Sequence, residues 1–171
     1  MTLLPILTAP DNRLKRKAFP VLAINDAVRR LMADMVETMY HADGIGLAAP
    51  QVGVRQRVIV LDVGYHLENG VKNPICLANP EISTTEGEVI WKEGCLSVPE
   101  HTSEVKRAAR IQVKGLNQHG EEVTIQADDV LAVCFQHEID HLDGILFIDH
   151  ISSLKRSIIL QKLKKKKQSD K

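Results

Sequence analysis

The order of elements read along this 171-residue chain, several β-strands followed by one interior helix and then a closing basic helix, fits an α+β fold. Two kinds of periodicity carry that reading. Runs rich in Val, Ile and Leu at 57–63, 75–83 and 86–92, with alternating runs at 104–116 and 121–126, have the pattern of strands. Residues 26–40 and 130–144 instead repeat their apolar side chains at helical spacing. Length adds that residues 1–171 form one domain, since a chain of this size buries roughly two thirds of its unfolded surface in a single core.

Residues 1–25 read as extended, punctuated by Pro5, Pro10 and Pro20. Asp26 is the expected N-cap of the first helix, and Val28, Leu31, Met32, Met35 and Met39 form its apolar face. Those methionines are expected in the core, with a smaller claim to lining an apolar pocket. The helix runs into Gly44-Ile45-Gly46-Leu47-Ala48-Ala49-Pro50-Gln51, where small residues let the backbone turn and approach another group closely. Taken alone, Gln51 reads as a surface amide beside a packed turn. The segment lacks the Lys-Ser/Thr ending of a phosphate loop.

Cys76, inside the second strand, reads as ordinary core. Cys95 sits differently, in Glu93-Gly94-Cys95-Leu96-Ser97-Val98-Pro99, a turn where thiol and backbone N–H can both point outward. The strands at 104–116 and 121–126 pair as an antiparallel hairpin closed by Asn117-Gln118-His119-Gly120, which makes His119 a turn residue. Asp128 or Asp129 caps the main helix, whose Val130, Val133, Cys134, His137 and His141 form one stripe that stops near Gly144. A last amphipathic helix starts near Ser152, with Leu154, Ile158, Ile159 and Leu163 as its apolar face, and ends in Lys164 to Lys167.

Composition excludes several classes. No run reaches the roughly 18 to 20 apolar residues of a membrane span, and the N-terminus lacks the pattern of a signal peptide, so a soluble cytoplasmic protein without a membrane partner is expected. The three cysteines, Cys76, Cys95 and Cys134, cannot all pair with one another, so no disulfide partner is expected and the thiols are free to ligate metal. The formal charge of zero hides a local +7 over residues 155–171, set against −7 over the other 154 residues. A basic tail at 152–171 on an acidic body points to an anionic partner, with nucleic acid or ribosome first, against the plainer reading of a solvated end.

The chemistry concentrates in Gln136-His137-Glu138-Ile139-Asp140-His141-Leu142-Asp143-Gly144. Two histidines four residues apart on a helix project from one face about a turn apart, a spacing that can hold one metal ion. Glu138 between them is the residue type that metal hydrolases use as general base. A catalytic ion of this kind takes three protein ligands and keeps one position open. A third His six residues after the second is excluded because that position is Phe147, and no Glu follows Glu138 to serve instead. Cys134 lies seven residues before His141, about 10.5 Å along the same helix, and meets a shared ion at poor angles. Cys95, approaching from another turn, can complete a His₂Cys set and is the better candidate of the two.

The segments 44–51, Glu-Gly-Cys-Leu-Ser at 93–97 and His-Glu-Ile-Asp-His-Leu-Asp-Gly at 137–144 together resemble the three motifs of the peptide deformylase family. That resemblance implies an iron- or zinc-dependent hydrolase of protein biosynthesis, which removes the formyl group from N-formylmethionine at the start of nascent polypeptides. It implies strands wrapped around a central metal-bearing helix. It makes Cys95, His137 and His141 the metal ligands and Glu138 the general acid/base, with Gln51 and the backbone N–H of Leu96 as donors to the developing oxyanion. Ile45, Gly46, Gly94 and Val133 are expected to bind substrate. A His₂Cys set suits Zn²⁺, whereas the resemblance implies Fe²⁺ natively, replaceable by Ni²⁺ or Co²⁺. Many bacterial relatives carry Arg a few residues beyond the second motif, where this chain has Glu100-His101-Thr102-Ser103. The alternatives are a protease acting on internal peptide bonds and a structural metal-binding module, which would want four protein ligands and gives Glu138 no task. The basic helix, near the enzyme's expected meeting with a nascent chain, is read as a ribosome contact.

Overall fold

The structure, a computed structural model, describes residues 2–67 and 69–170. Seven strands and three α-helices follow one another as α1 (Asp26–His41), β1 (Gly46–Ala48), β2 (Val58–Leu61), β3 (Ile75–Glu86), β4 (Val89–Cys95), β5 (Val98–Arg107), β6 (Arg110–Leu116), β7 (Glu122–Asp128), α2 (Asp129–Leu142) and α3 (Ser153–Ser169). Five strands form one antiparallel sheet in the order β1-β2-β3-β6-β7, and β4 and β5 pair separately. This is the α+β arrangement expected.

Period-two alternation explains how the sheet is covered on both faces. Along β2, Ile59 and Leu61 turn toward α2 and pack with Leu77, Ile111, Val113, Phe135 and Leu142. Val58 and Val60 turn the other way, toward Met32, Met35 and Met39 of α1. All four residues of β2 are therefore buried, as in a strand with both faces occupied. Three of the four methionines fill core, and none of these three lines the cavity described below. A third cluster gathers Val98 and Val105 of β5 with Leu146, Phe147 and Ile148 and with Ile159 and Leu163 of α3.

The structure corrects several expected boundaries. Asn25, not Asp26, caps α1: its side chain accepts from Val28 N at 3.0 Å, and Asp26 is already helical. The single strand expected over 104–116 is two, because the chain turns a corner at Ala108 and Ala109 and passes from the small sheet into the large one. The Gln136 carboxamide clamps that corner, accepting from Ala108 N and donating to Ala108 O, each at 2.9 Å. The segment after Cys95 is β5, which begins at Val98 across a register shift between Gly94 and Cys95. Glu100 there has φ +70°, a conformation that breaks strand alternation and hides β5 from pattern reading. Asp128 stands at the N-cap of α2 without a side-chain capping bond. On α3 only Ile159 and Leu163 are buried, while Leu154 is 71% exposed and Ile158 44%. The expected apolar face is half the expected width.

Other expectations hold. Asn117 to Gly120 closes the β6–β7 hairpin, with Gly120 N donating to Asn117 O at 3.0 Å. Cys76 is buried in the core. Helix α2 stops at Gly144, whose φ is +75°. A Cβ there would stand 2.5 Å from Lys15 O, so the glycine also lets the N-terminal segment cross the end of the helix. That crossing is sealed by Ala18 N and the Arg57 guanidinium, which both donate to Leu142 O, at 2.8 and 3.0 Å. Among the described residues no helix is long and apolar enough to cross a membrane.

Candidate active site

Helix α2 carries His137, Glu138 and His141 into the interior, where all three are less than 10% exposed. The two imidazoles face each other with Nε2 atoms 3.3 Å apart, as expected for residues one helical turn apart. Cys95, at the last position of β4, brings its Sγ to 3.4 Å from His141 Nε2. These donors lie within 4.8 Å of one another. Ligands about 2.0 to 2.3 Å from one ion at tetrahedral angles stand about 3.3 to 3.6 Å apart, so the donor set fits a single divalent cation. Cys134, on the same helix, takes no part: its thiol points to Ile45 O at 3.6 Å, and burial pushes its pKa well up.

Gln51 is not the surface amide that its sequence alone favours. It is 1% exposed, at the end of a short 3-10 turn over Ala49–Val52. Its carboxamide oxygen accepts from Ala48 N at 2.9 Å, which leaves the NH₂ group to face the site. That group donates to Ser97 Oγ at 3.0 Å and reaches Cys95 Sγ at 3.5 Å. The Cys95 sulfur also accepts from Ser97 N at 3.4 Å, so it is held by donors from two elements.

Glu138 is 3% exposed and its Oε1 meets no hydrogen-bond donor among the described protein atoms. Burial pushes its pKa up to about 7. Gly46 of β1 approaches so closely that a Cβ would lie 2.4 Å from Glu138 Oε2 and 2.9 Å from Cys134 Sγ. The glycine-rich turn is thus small because helix α2 occupies the space a side chain would take.

Behind the histidines lies a charge network that the motif reading did not assign. Glu93, 4% exposed, meets His137 Nδ1 at 2.9 Å through Oε1, which fixes the ring with Nε2 toward the other donors. Arg107 donates to both oxygens of Glu93, at 2.7 and 2.8 Å, and to Asp140 Oδ2 at 2.6 Å. His150 Nε2 lies 2.8 Å from the same Asp140 oxygen. Burial alone raises the pKa of Glu93, but Arg107 and His137 outweigh it and hold the carboxyl below its usual value. His137 is likewise held up against its burial by Glu138, Cys95 and Glu93, whereas burial and then His137 itself push His141 well down.

A cavity of about 480 Å³ opens onto these groups. Ile45, Gly46, Gly94 and Val133 all line it, as do Gln51, Leu96, His137 and Glu138. So do Val130, part of the apolar stripe read along α2, and Trp91, which carried no expectation in the sequence. A usable signal existed for Trp91, which alternates with Glu93 and Cys95 along β4 and shares their face. Arg107 carries no local signal, because only the fold brings it to Glu93.

Three convergent donors beside a buried carboxylate that is not one of them define a metal-dependent hydrolase, since a structural site closes with a fourth protein ligand. The family model for polypeptide deformylase matches residues 3–157. A peptide deformylase of Methylocella silvestris is 53% identical over 167 residues, covering 96% of this chain and 85% of the relative. That of Thermodesulfovibrio yellowstonii is 51% identical, covering 98% and 100%. The crystal structure of peptide deformylase from Ehrlichia chaffeensis superposes with a TM-score of 0.93 at 40% identity, covering 99% of both chains. The chain belongs to the polypeptide deformylase family, and its reaction is the hydrolytic removal of the N-formyl group from formyl-methionyl peptides.

Proposed function

We propose that Cys95, His137 and His141 hold one divalent ion, Fe²⁺ natively, with Zn²⁺, Ni²⁺ and Co²⁺ as substitutes, and that Glu138 is the acid/base of deformylation. The observation that carries this is the convergence of one sulfur and two imidazole nitrogens on a single point beside an unpartnered buried carboxylate. When bound, the ion supplies a lowered water pKa and a positive charge for the developing oxyanion. Glu138 accepts the proton of the attacking water, whose oxygen bonds to the formyl carbon, and then delivers that proton to the departing amine nitrogen. The C–N bond breaks, and formate and a free amino terminus leave. Gln51 Nε2 and the backbone N–H of Leu96 donate to the oxygen that gains negative charge. The Gln51 role is supported by its fixed orientation, oxygen toward Ala48 and NH₂ toward the site.

The apolar wall, with Ile45, Gly46, Gly94 and Val133, receives the methionine end of the substrate. The whole of 1–171 is read as one catalytic unit, acting in the cytoplasm on nascent chains, with 152–171 as a basic helix that contacts ribosomal RNA by counterion release. Formate release from a formyl-methionyl-alanyl-serine peptide by anaerobically purified protein, with metal analysis of the same sample, tests the reading. Turnover with about one ion per chain is expected. Cleavage of an internal peptide bond without formate would favour a protease instead.

A further inference from the structure

The active-site cavity does not end in open solvent on every side. Pro99, Glu100 and His101, which form part of its rim, also line a second depression of about 530 Å³, whose opposite wall is Lys162, Leu163, Lys165, Lys166 and Ser169 of α3. Lys162, Lys165, Lys166 and Ser169 follow at i, i+3, i+4 and i+7, so one helical face is turned to this groove. The face is held in place: Leu163 is 3% exposed in the third core cluster, Lys166 Nζ bonds Glu100 Oε1 at 2.9 Å, and Lys167 donates to Thr8 O. The Glu100 carboxylate, the one acidic group on the groove wall, is thereby matched by Lys166, which leaves Lys162 and Lys165 in excess.

We propose that this groove is a downstream extension of the substrate site, and that Lys162 and Lys165 select peptides carrying acidic side chains a few residues beyond the formyl-methionine. The inference rests on the deformylase reading of the cavity and adds to it a preference in sequence. An extended peptide advances about 3.3 to 3.6 Å per residue, so a substrate whose methionine fills the cavity and whose chain leaves over Pro99–His101 sets about its third to fifth residues against α3. The two depressions share those rim residues and so adjoin one another. Both lysines are exposed, so the attraction is screened by salt and acts on encounter and binding, not on the chemical step.

The test compares kcat and KM of the full-length, metal-replete protein on formyl-Met-Ala-Ser and on the same peptide extended by three Asp or by three Lys residues. At low salt kcat/KM should favour the acidic peptide over the basic one by about three- to tenfold, through KM, and the ratio should fall toward one as salt is raised. The Lys162→Glu/Lys165→Glu variant should invert the ratio, while Arg30→Glu, a charge reversal on α1, should leave it as in the parent. A ratio near one at low salt, with normal turnover of formyl-Met-Ala-Ser, would overturn the groove and leave the deformylase reading standing. Absence of turnover on that short peptide would overturn the reading beneath both. A doubly reversed variant that keeps the parent ratio but loses binding to RNA would assign the lysine face to nucleic acid and likewise overturn the proposal.

Discussion

Helix α2 lines the cavity and helix α3 lines the neighbouring groove, yet the fold treats them in opposite ways. Helix α2 packs on the large sheet, β1 included, and bonds to Glu93 and Arg107 of the β4–β5 pair, and nine of its fourteen residues are buried. Helix α3 is seventeen residues long and buries two, Ile159 and Leu163. The difference matches the tasks proposed for each. Ligands and a proton carrier need positions fixed to a fraction of an ångström, which takes packing on every side and a second layer of hydrogen bonds. A charged face acts over several ångströms and needs only to be held alongside.

Variants that strike each helix separately sharpen this comparison. The largest effect is expected at Cys95, the proposed ligand that reaches α2 from across the site: Cys95→Ser should lose metal and turnover together, whereas Cys134→Ser should keep its metal. A metal-free Cys134→Ser beside a metal-replete Cys95→Ser would reverse the ligand assignment. Next comes Gly46→Ala, whose Cβ must displace Glu138 Oε2 from 2.4 Å; a shift of about 1 Å at a catalytic group costs on the order of 10²-fold in kcat. Retained metal content with unchanged kcat would show that Glu138 tolerates the displacement.

Arg107→Met probes the support of α2. Removing the guanidinium strands Glu93, buried to 4% exposure, and should cost about 3 to 5 kcal/mol of stability in denaturant titration and speed the loss of metal to a chelator. The pH dependence has a definite sign. The folded protein holds Glu93 below its ordinary value of 4.5, so its ionised form stabilises the fold above about that pH, and the contribution is lost as pH falls. Without Arg107 the acid limb of the stability curve should move to higher pH. The smallest effect on chemistry is expected from cutting the chain after Arg156. Removing Ile159 and Leu163 should lower the melting temperature, since each buried side chain of this size contributes about 1.5 to 3 kcal/mol, while kcat on a short peptide changes within about twofold. A hundredfold fall in kcat in a still-folded protein would erase the distinction between the helices.

What was legible in the sequence divides along the same line. The site residues of α2 could be read because a helix places i and i+4 on one face, so five contiguous letters state a geometry. Cys95 was legible because it sits in a short, unusual turn, whereas Gln51 on its own read as a surface amide and gained a role only from the family resemblance. Arg107, Asp140 and His150 were not, since their relation to Glu93 exists only once β5 has turned back beside β4 and crossed the end of α2. The first part of strand β5, before residue 104, was hidden by Pro99 and by the positive φ of Glu100, which interrupt the alternation a strand is recognised by. The division of residues 104–116 was hidden for the reverse reason: apolar alternation runs on through the corner at Ala108 while the chain changes sheets. On α3 a helical period in sequence revealed which residues share a face, but not that the body offers room for only two of them.

The proposal that Glu138 moves protons without binding the metal is tested most directly by Glu138→Gln, because the amide keeps the shape of the side chain and removes its basicity. Metal content measured on the anaerobically purified variant should equal that of the parent, while kcat for a formyl-methionyl peptide falls by about 10² to 10⁴-fold or more. Loss of the metal together with activity, or full activity in a metal-replete variant, would contradict it.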